Sequence, residues 1–127
     1  MTSSASYVPQ EKEIWPDALD ALVAASGHHT LVFENERVRV IQTRIPPGET
    51  TSVHTHRWPC VLLIRAWSDF IRRDPEGEVT LDTRQLSMTD KPMPNVPTWQ
   101  QPLPPHSVEN IGSTEFNAMQ VEIKDAG

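Results

Sequence analysis

Twelve prolines are scattered without any repeat through this chain of 127 residues, and they leave little room for long helices. Proline inside a helix removes a hydrogen bond and clashes with the preceding turn, whereas turns and strand ends accept it. Several of the segments between them alternate apolar and polar residues, the mark of half-buried strands. Pro46-Pro47-Gly48 reads as a strong turn, and Asp74-Pro75-Glu76-Gly77 as a type I turn with proline second and glycine fourth. Short strands joined by stiff turns imply an all-β sandwich or jelly roll.

The expected organisation is an N-terminal arm over residues 1–15 and a single domain over 16–127. Pro16 to Ala25 is the one convincing helix. Proline suits its first turn, Leu19, Leu22 and Val23 make an apolar stripe, and Gly27 stops it. His28 and His29 then read as structural residues at a helix C-terminus. In the next strands Val38 and Val40 alternate with arginines while Ile41, Thr43 and Ile45 take the opposite parity, so a bulge is expected near Val40. Thr51 to His56, Cys60 to Trp67, Ser68 to Arg73, Glu78 to Thr83, Trp99 to Pro102, His106 to Ile111 and Phe116 to Ile123 are the remaining strands. Residues 84–98 form either a long loop or an edge strand.

Charge and composition exclude several function classes. The net charge is −6, and the arginines are dispersed without a basic face, which argues against nucleic acid as a partner. No apolar run approaches the roughly 20 residues of a membrane span, and the first dozen residues lack a signal-peptide core. The single cysteine cannot form an internal disulfide, so no oxidising compartment is implied. The expected location is the cytoplasm.

The chemistry is concentrated in the histidines. Gly48, His54 and His56 form G-x5-H-x-H, and fifty residues later His106 and Asn110 form H-x3-N. Histidines two apart on a strand share a face, and a third from a returning strand would complete one side of a metal's coordination sphere.

Both segments resemble the two motifs of the cupin superfamily, over residues from about Leu31 to Ile123. The first motif matches through His56. The second keeps His106 and Asn110 but lacks its glycines, and its prolines are displaced to Pro102, Pro104 and Pro105. The glutamate that follows the second histidine in the family is absent, with Pro59 to Val61 in its place. The resemblance implies a cupin-type jelly-roll barrel with His54, His56 and His106 as ligands to one divalent metal ion. Iron(II) is the first choice, with zinc, nickel, manganese and copper as other fits to imidazole. Asn110 is expected to hold its turn through backbone hydrogen bonds. Metal affinity is expected to fall as pH drops through about 6.5, because the ligands must be neutral.

Trp58, Cys60, Leu62 and Trp99 are the expected pocket walls, although the two tryptophans serve equally well as core or interface residues. Cys60 reads as a small buried hydrophobe, a soft fourth ligand or a redox-active neighbour of the metal, the last because thiol dioxygenases of the superfamily also lack the glutamate. A site without a carboxylate leaves the full +2 charge on the ion and favours anionic chelators. Arg44, Arg65 and Arg72 are candidates for gripping such an anion. Three-histidine cupins include dioxygenases, so the resemblance points to a mononuclear non-haem iron dioxygenase acting on a small anionic molecule. A metal-dependent isomerase or lyase and a non-catalytic small-molecule-binding cupin are the alternatives. A two-fold homodimer is expected, because small jelly rolls expose sheet edges.

Overall fold

The computed structural model describes residues 15–124. Apart from Trp15, the expected arm lies outside the described residues. A 3-10 turn (Asp17–Leu19) and a single helical turn, α1 (Ala21–Ala24), precede nine strands. These are β1 (His29–Glu34), β2 (Val38–Ile45), β3 (His54–His56), β4 (Cys60–Ala66), β5 (Phe70–Arg73), β6 (Val79–Asp82), β7 (Thr98–Gln100), β8 (Leu103–Asn110) and β9 (Phe116–Ile123). They form a five-stranded sheet, β1-β2-β9-β4-β7, and a four-stranded sheet, β3-β8-β5-β6. All named pairings are antiparallel. The two sheets close on each other through Ile45, Ile64, Phe116 and Ala118 from one and Phe70 from the other. The result is an all-β jelly roll with a short N-terminal helical segment. Among the described residues no helix is long and apolar enough to cross a membrane.

Two local expectations are corrected. The helix over Pro16 to Ala25 breaks at Asp20, whose ψ of 143° is extended. Its carboxylate caps α1 by accepting from Leu22 N at 3.1 Å and also takes a two-pronged bond from Arg39 at 3.0 and 2.8 Å. Tertiary pairing therefore overrides helix propensity here. The second correction concerns β2, which runs without a bulge. Its buried face is Arg39, Ile41, Thr43 and Ile45, and Val38 and Val40 turn away. The irregularity lies across the ladder, in β1 between Leu31 and Phe33. An arginine occupies an inward position because two carboxylates meet it there.

The inner faces of β2 and β9 grade from apolar to polar along the barrel. Ile45 lies opposite Phe116, Thr43 opposite Ala118, Ile41 opposite Gln120 and Arg39 opposite Glu122. The Ile45 end contributes to the hydrophobic core, and the Arg39 end carries buried charge. The segment between Gln85 and Thr98 is a loop, followed by β7 as a short edge strand. At the other end of β8, Asn110 holds the corner. Its Oδ1 accepts from Ser68 Oγ and Gly112 N, and its Nδ2 donates to the carbonyls of Ile45 and Thr114. A Cβ at Gly112 would come within 2.0 Å of Ser68 Oγ, so a side chain here would push that hydroxyl off its bond to Asn110.

Candidate metal centre

Gly48, with φ +82°, turns the chain from β2 toward β3, where His54, Thr55 and His56 are all buried. His54 lies opposite His106 on β8. The register then slips, so that His56 lies opposite Leu103. Pro104 and Pro105 occupy this irregularity, where proline's missing N–H is tolerated. The ring centroids of His54 and His106 are 4.4 Å apart, and those of His56 and His106 are 5.6 Å apart.

A fourth imidazole joins them. His29 opens β1, and its ring centroid lies 4.6 Å from that of His54 and 5.5 Å from that of His56. Ligand atoms of His29, His54 and His56 all lie within 4.8 Å of one another. His29 was expected to be structural; it is instead buried in the cluster. Its structural tie is real as well, since Nδ1 bonds the carbonyl of Ala25 at 3.0 Å. The short helical segment thus delivers the ring to the centre.

All four rings are anchored from behind. Nδ1 of His54 bonds Ser52 O at 2.7 Å, and Nδ1 of His106 bonds Pro104 O at 2.7 Å. A carbonyl only accepts, so Nδ1 carries the proton in these rings and in His29, leaving the Nε2 lone pair free. Nδ1 of His56 faces Glu122 Oε2 at 3.4 Å. Oxygen partners of this kind fix tautomer and orientation in metal-ligating histidines. Burial is the first cause that keeps the rings neutral, and mutual repulsion among the imidazoles adds to it. His29 is lowered to about 4, His54 to about 2, and His56 and His106 to about 3. Three of these imidazoles, His29, His54 and His56, bring ligand atoms close enough together to hold a metal ion, and neutral imidazole suits a divalent transition metal. His106 stands beside them through His54.

Behind His56 runs a buried charged chain. Glu122 is fully buried and accepts from Arg39 Nε at 2.7 Å, while Arg39 also holds Asp20. Burial pushes the Glu122 carboxyl up, and the Arg39 guanidinium opposes that shift. Asp20 is held low by Arg39 against its own burial. Neither Arg39 nor Glu122 was anticipated as a site residue. Inward parity counted from Ile45 on β2 and from Phe116 on β9 reaches both, and would have found them.

The imidazoles line one part of a cavity of about 250 Å³. Leu62, Ile64, Trp67, Phe70, Val108 and Phe116 supply apolar wall, Thr43, Gln100 and Gln120 supply hydrogen-bonding groups, and Arg72 reaches it from β5. Leu86, Asp90 and Pro92 of the long loop also border it. Of the four expected wall residues, only Leu62 lines this space. Trp99 is 57% exposed, because the alternation along β7 turns Gln100 inward instead. Trp58 lies outside the cavity against the charged chain, with the Arg39 guanidinium 4.9 Å from its ring centroid. Cys60 is buried behind Gln100, with Sγ 3.9 Å from Nε2. Burial raises its thiol to about 12, and Cys60 is neither in the cavity lining nor in the histidine cluster. Arg44 and Arg65 are exposed on the outside.

This fold and centre define a class of protein. A solved cupin domain protein from Bordetella pertussis Tohama I is 30% identical, the match covering 76% of this chain and 92% of that one with a TM-score of 0.60. The chain belongs to the cupin family. The fold is shared with an RmlC-like cupin protein from Methanocaldococcus jannaschii, at 14% identity, 75% and 77% coverage and TM-score 0.51. It is shared too with a double-stranded β-helix protein from Klebsiella pneumoniae subsp. pneumoniae MGH 78578, at 18% identity, 99% and 90% coverage and TM-score 0.50. No family profile and no curated protein sequence matches the chain.

Proposed function

We propose that the imidazoles of His54, His56 and His106, joined by His29, hold one divalent metal ion, and that the protein is a mononuclear iron oxygenase of a small organic anion. The observation carrying this reading is the anchoring of every Nδ1 by an oxygen, which leaves the opposite ring nitrogens for a metal. When bound, iron(II) supplies electrons and open coordination positions for reaction with molecular oxygen.

The chain's own residues do the rest. Leu62, Ile64, Trp67 and Phe70 give the reacting centre an apolar wall, and Thr43 donates to Gln120 Oε1 at 2.8 Å, fixing that amide for substrate orientation. Among the cavity-lining residues the one carboxylate is Asp90, which is exposed. Glu122 faces His56 and Arg39 rather than the cavity. An isomerase or lyase needs a general base within reach of its substrate. With the imidazoles engaged on a metal the lining leaves only Asp90 for that role, which is why the oxygenase reading is preferred.

Oxygen uptake by iron(II)-loaded protein, measured across dicarbonyls, thiol-carboxylates and hydroxy acids, tests it. Uptake is expected to depend on both iron and one of these substrates, and to vanish in His106→Ala. Anaerobic conversion of a substrate would replace this reading with Lewis-acid chemistry, and tight binding without turnover would make the protein a binding cupin.

A further inference from the structure

Most of the arginines near acidic side chains are neutralised by them. Arg39 binds Asp20 and Glu122, Arg44 binds Glu115, Arg57 binds Asp17, Arg73 binds Glu109 and Arg84 binds Asp82. Arg72 differs. It makes no ion pair among the described residues, its Nε is buried without a hydrogen-bond partner, and it lines the cavity. Asp90 borders the same space but does not pair with it. An unpaired guanidinium taken out of water is costly unless something completes it.

Its position is set by register. Arg72 lies opposite Val108 on β8, so His106, two residues along, is its diagonal neighbour on the same face, at about 7–8 Å. Arg72 thus stands beside the imidazole cluster, on the same face and bordering the same cavity. Phe70, two residues back on β5, faces the same space, with its ring centroid 6.0 Å from the guanidinium. The rest of the wall around Arg72 is largely apolar.

We propose that Arg72 is the anion-recognition residue of the cavity and that its ligand is a small monocarboxylate with an apolar body. This deepens the reading of the cavity as a substrate site. A guanidinium pairs with a carboxylate through two parallel N–H···O bonds, and Arg72 is the one side-chain cation of the lining apart from the histidines. The cavity is smaller than typical drug-sized pockets, which limits the body to a short alkyl chain or a single ring.

The test is calorimetric titration of benzoate and hexanoate, with benzamide and hexanamide as neutral counterparts, into wild type, Arg72→Met and Arg72→Lys. Each is run zinc-loaded and after chelator treatment. Carboxylates are expected to bind at least about tenfold tighter than the amides, with and without zinc. Arg72→Met should lose at least about tenfold in carboxylate affinity and leave the amides unchanged, and Arg72→Lys should retain part of it. Arg72→Met should melt no lower than wild type, since it breaks no ion pair and removes a half-buried group whose Nε has no hydrogen-bond partner.

Failure of all four probes, equal binding of acids and amides, or unchanged carboxylate affinity in Arg72→Met overturns the proposal. So does a large loss of melting temperature in both variants, which would make Arg72 a structural brace. Carboxylate binding that needs zinc and ignores Arg72 would overturn it while leaving the metal centre intact. Arg72-dependent binding in protein that takes up no zinc would sustain it and refute the metal centre instead.

Discussion

Glu122, near the end of β9, places Oε2 3.4 Å from Nδ1 of His56 in the middle of the imidazole cluster. The residues after His56 supply no carboxylate, and this one arrives from a different strand, behind the ring. Its other oxygen is taken by Arg39, so the carboxylate is fixed in rotation as well as in place.

Glu122→Gln should therefore do more than remove a charge. With Oε1 still accepting from Arg39, the amide NH2 faces His56 Nδ1 as a donor, which favours the tautomer with its proton on Nε2. That proton blocks ligation. Affinity for cobalt or zinc is expected to fall by about 10–100-fold, measured by competition with a chromophoric chelator. Unchanged affinity would mean that Glu122 does not orient His56.

Arg39→Met leaves Asp20 and Glu122 buried together without their shared cation. Removing one partner of such a network costs about 3–5 kcal/mol, read as a lower urea midpoint at pH 7. The deficit relative to wild type at the same pH should narrow at pH 5, where the carboxyls can take up protons. A change under about 1 kcal/mol would show that the network adds little to stability.

Acid sensitivity follows from the histidines. Their folded-state values lie between about 2 and 4, below the ordinary imidazole value near 6.5. Above pH 6.5 both folded and unfolded chains are neutral at these rings. As pH falls below 6.5 the unfolded chain takes up protons that the folded chain refuses. Stability then drops by up to about 1.4 kcal/mol per pH unit for each histidine, until pH reaches the folded values. Urea midpoints of metal-free protein should be flat from pH 8 to 7 and fall steeply toward pH 5. A His54→Gln, His106→Gln variant should show a shallower slope. Metal affinity of the folded protein should also persist below the pH of about 6.5 expected for free imidazole.

The apolar periodicity and the two histidine motifs were sufficient to read the jelly roll, the approach of His106 to His54 and His56, and the turn at Asp74 to Gly77. What escaped were residues whose partners are remote in sequence. Arg39 looked like the polar half of an alternation because Asp20 and Glu122 lie 19 and 83 residues away. His29 looked like a helix-end residue because its approach to His54 depends on how β1 docks beside β2. Trp99 looked like a pocket wall because its strand's parity is fixed by pairing with β4, and that pairing points it outward.

Self-association remains the expectation for this fold. β1 is a sheet edge, and Leu31, Val32 and Phe33 on it are 45–53% exposed. Such an edge invites pairing with another strand. Light scattering at micromolar concentration should give a two-fold homodimer, and Phe33→Asp should shift it toward monomer without changing metal content. A monomeric wild-type protein would contradict this.

The most direct measurement is titration of chelator-treated protein with cobalt(II), followed by its visible absorption and checked by elemental analysis. One equivalent should bind with a nitrogen-ligated spectrum. The His54→Ala, His56→Ala pair should lose it, while each variant keeps its far-ultraviolet strand signature. Absence of binding in wild type, or one full equivalent retained in the double variant, would contradict the account.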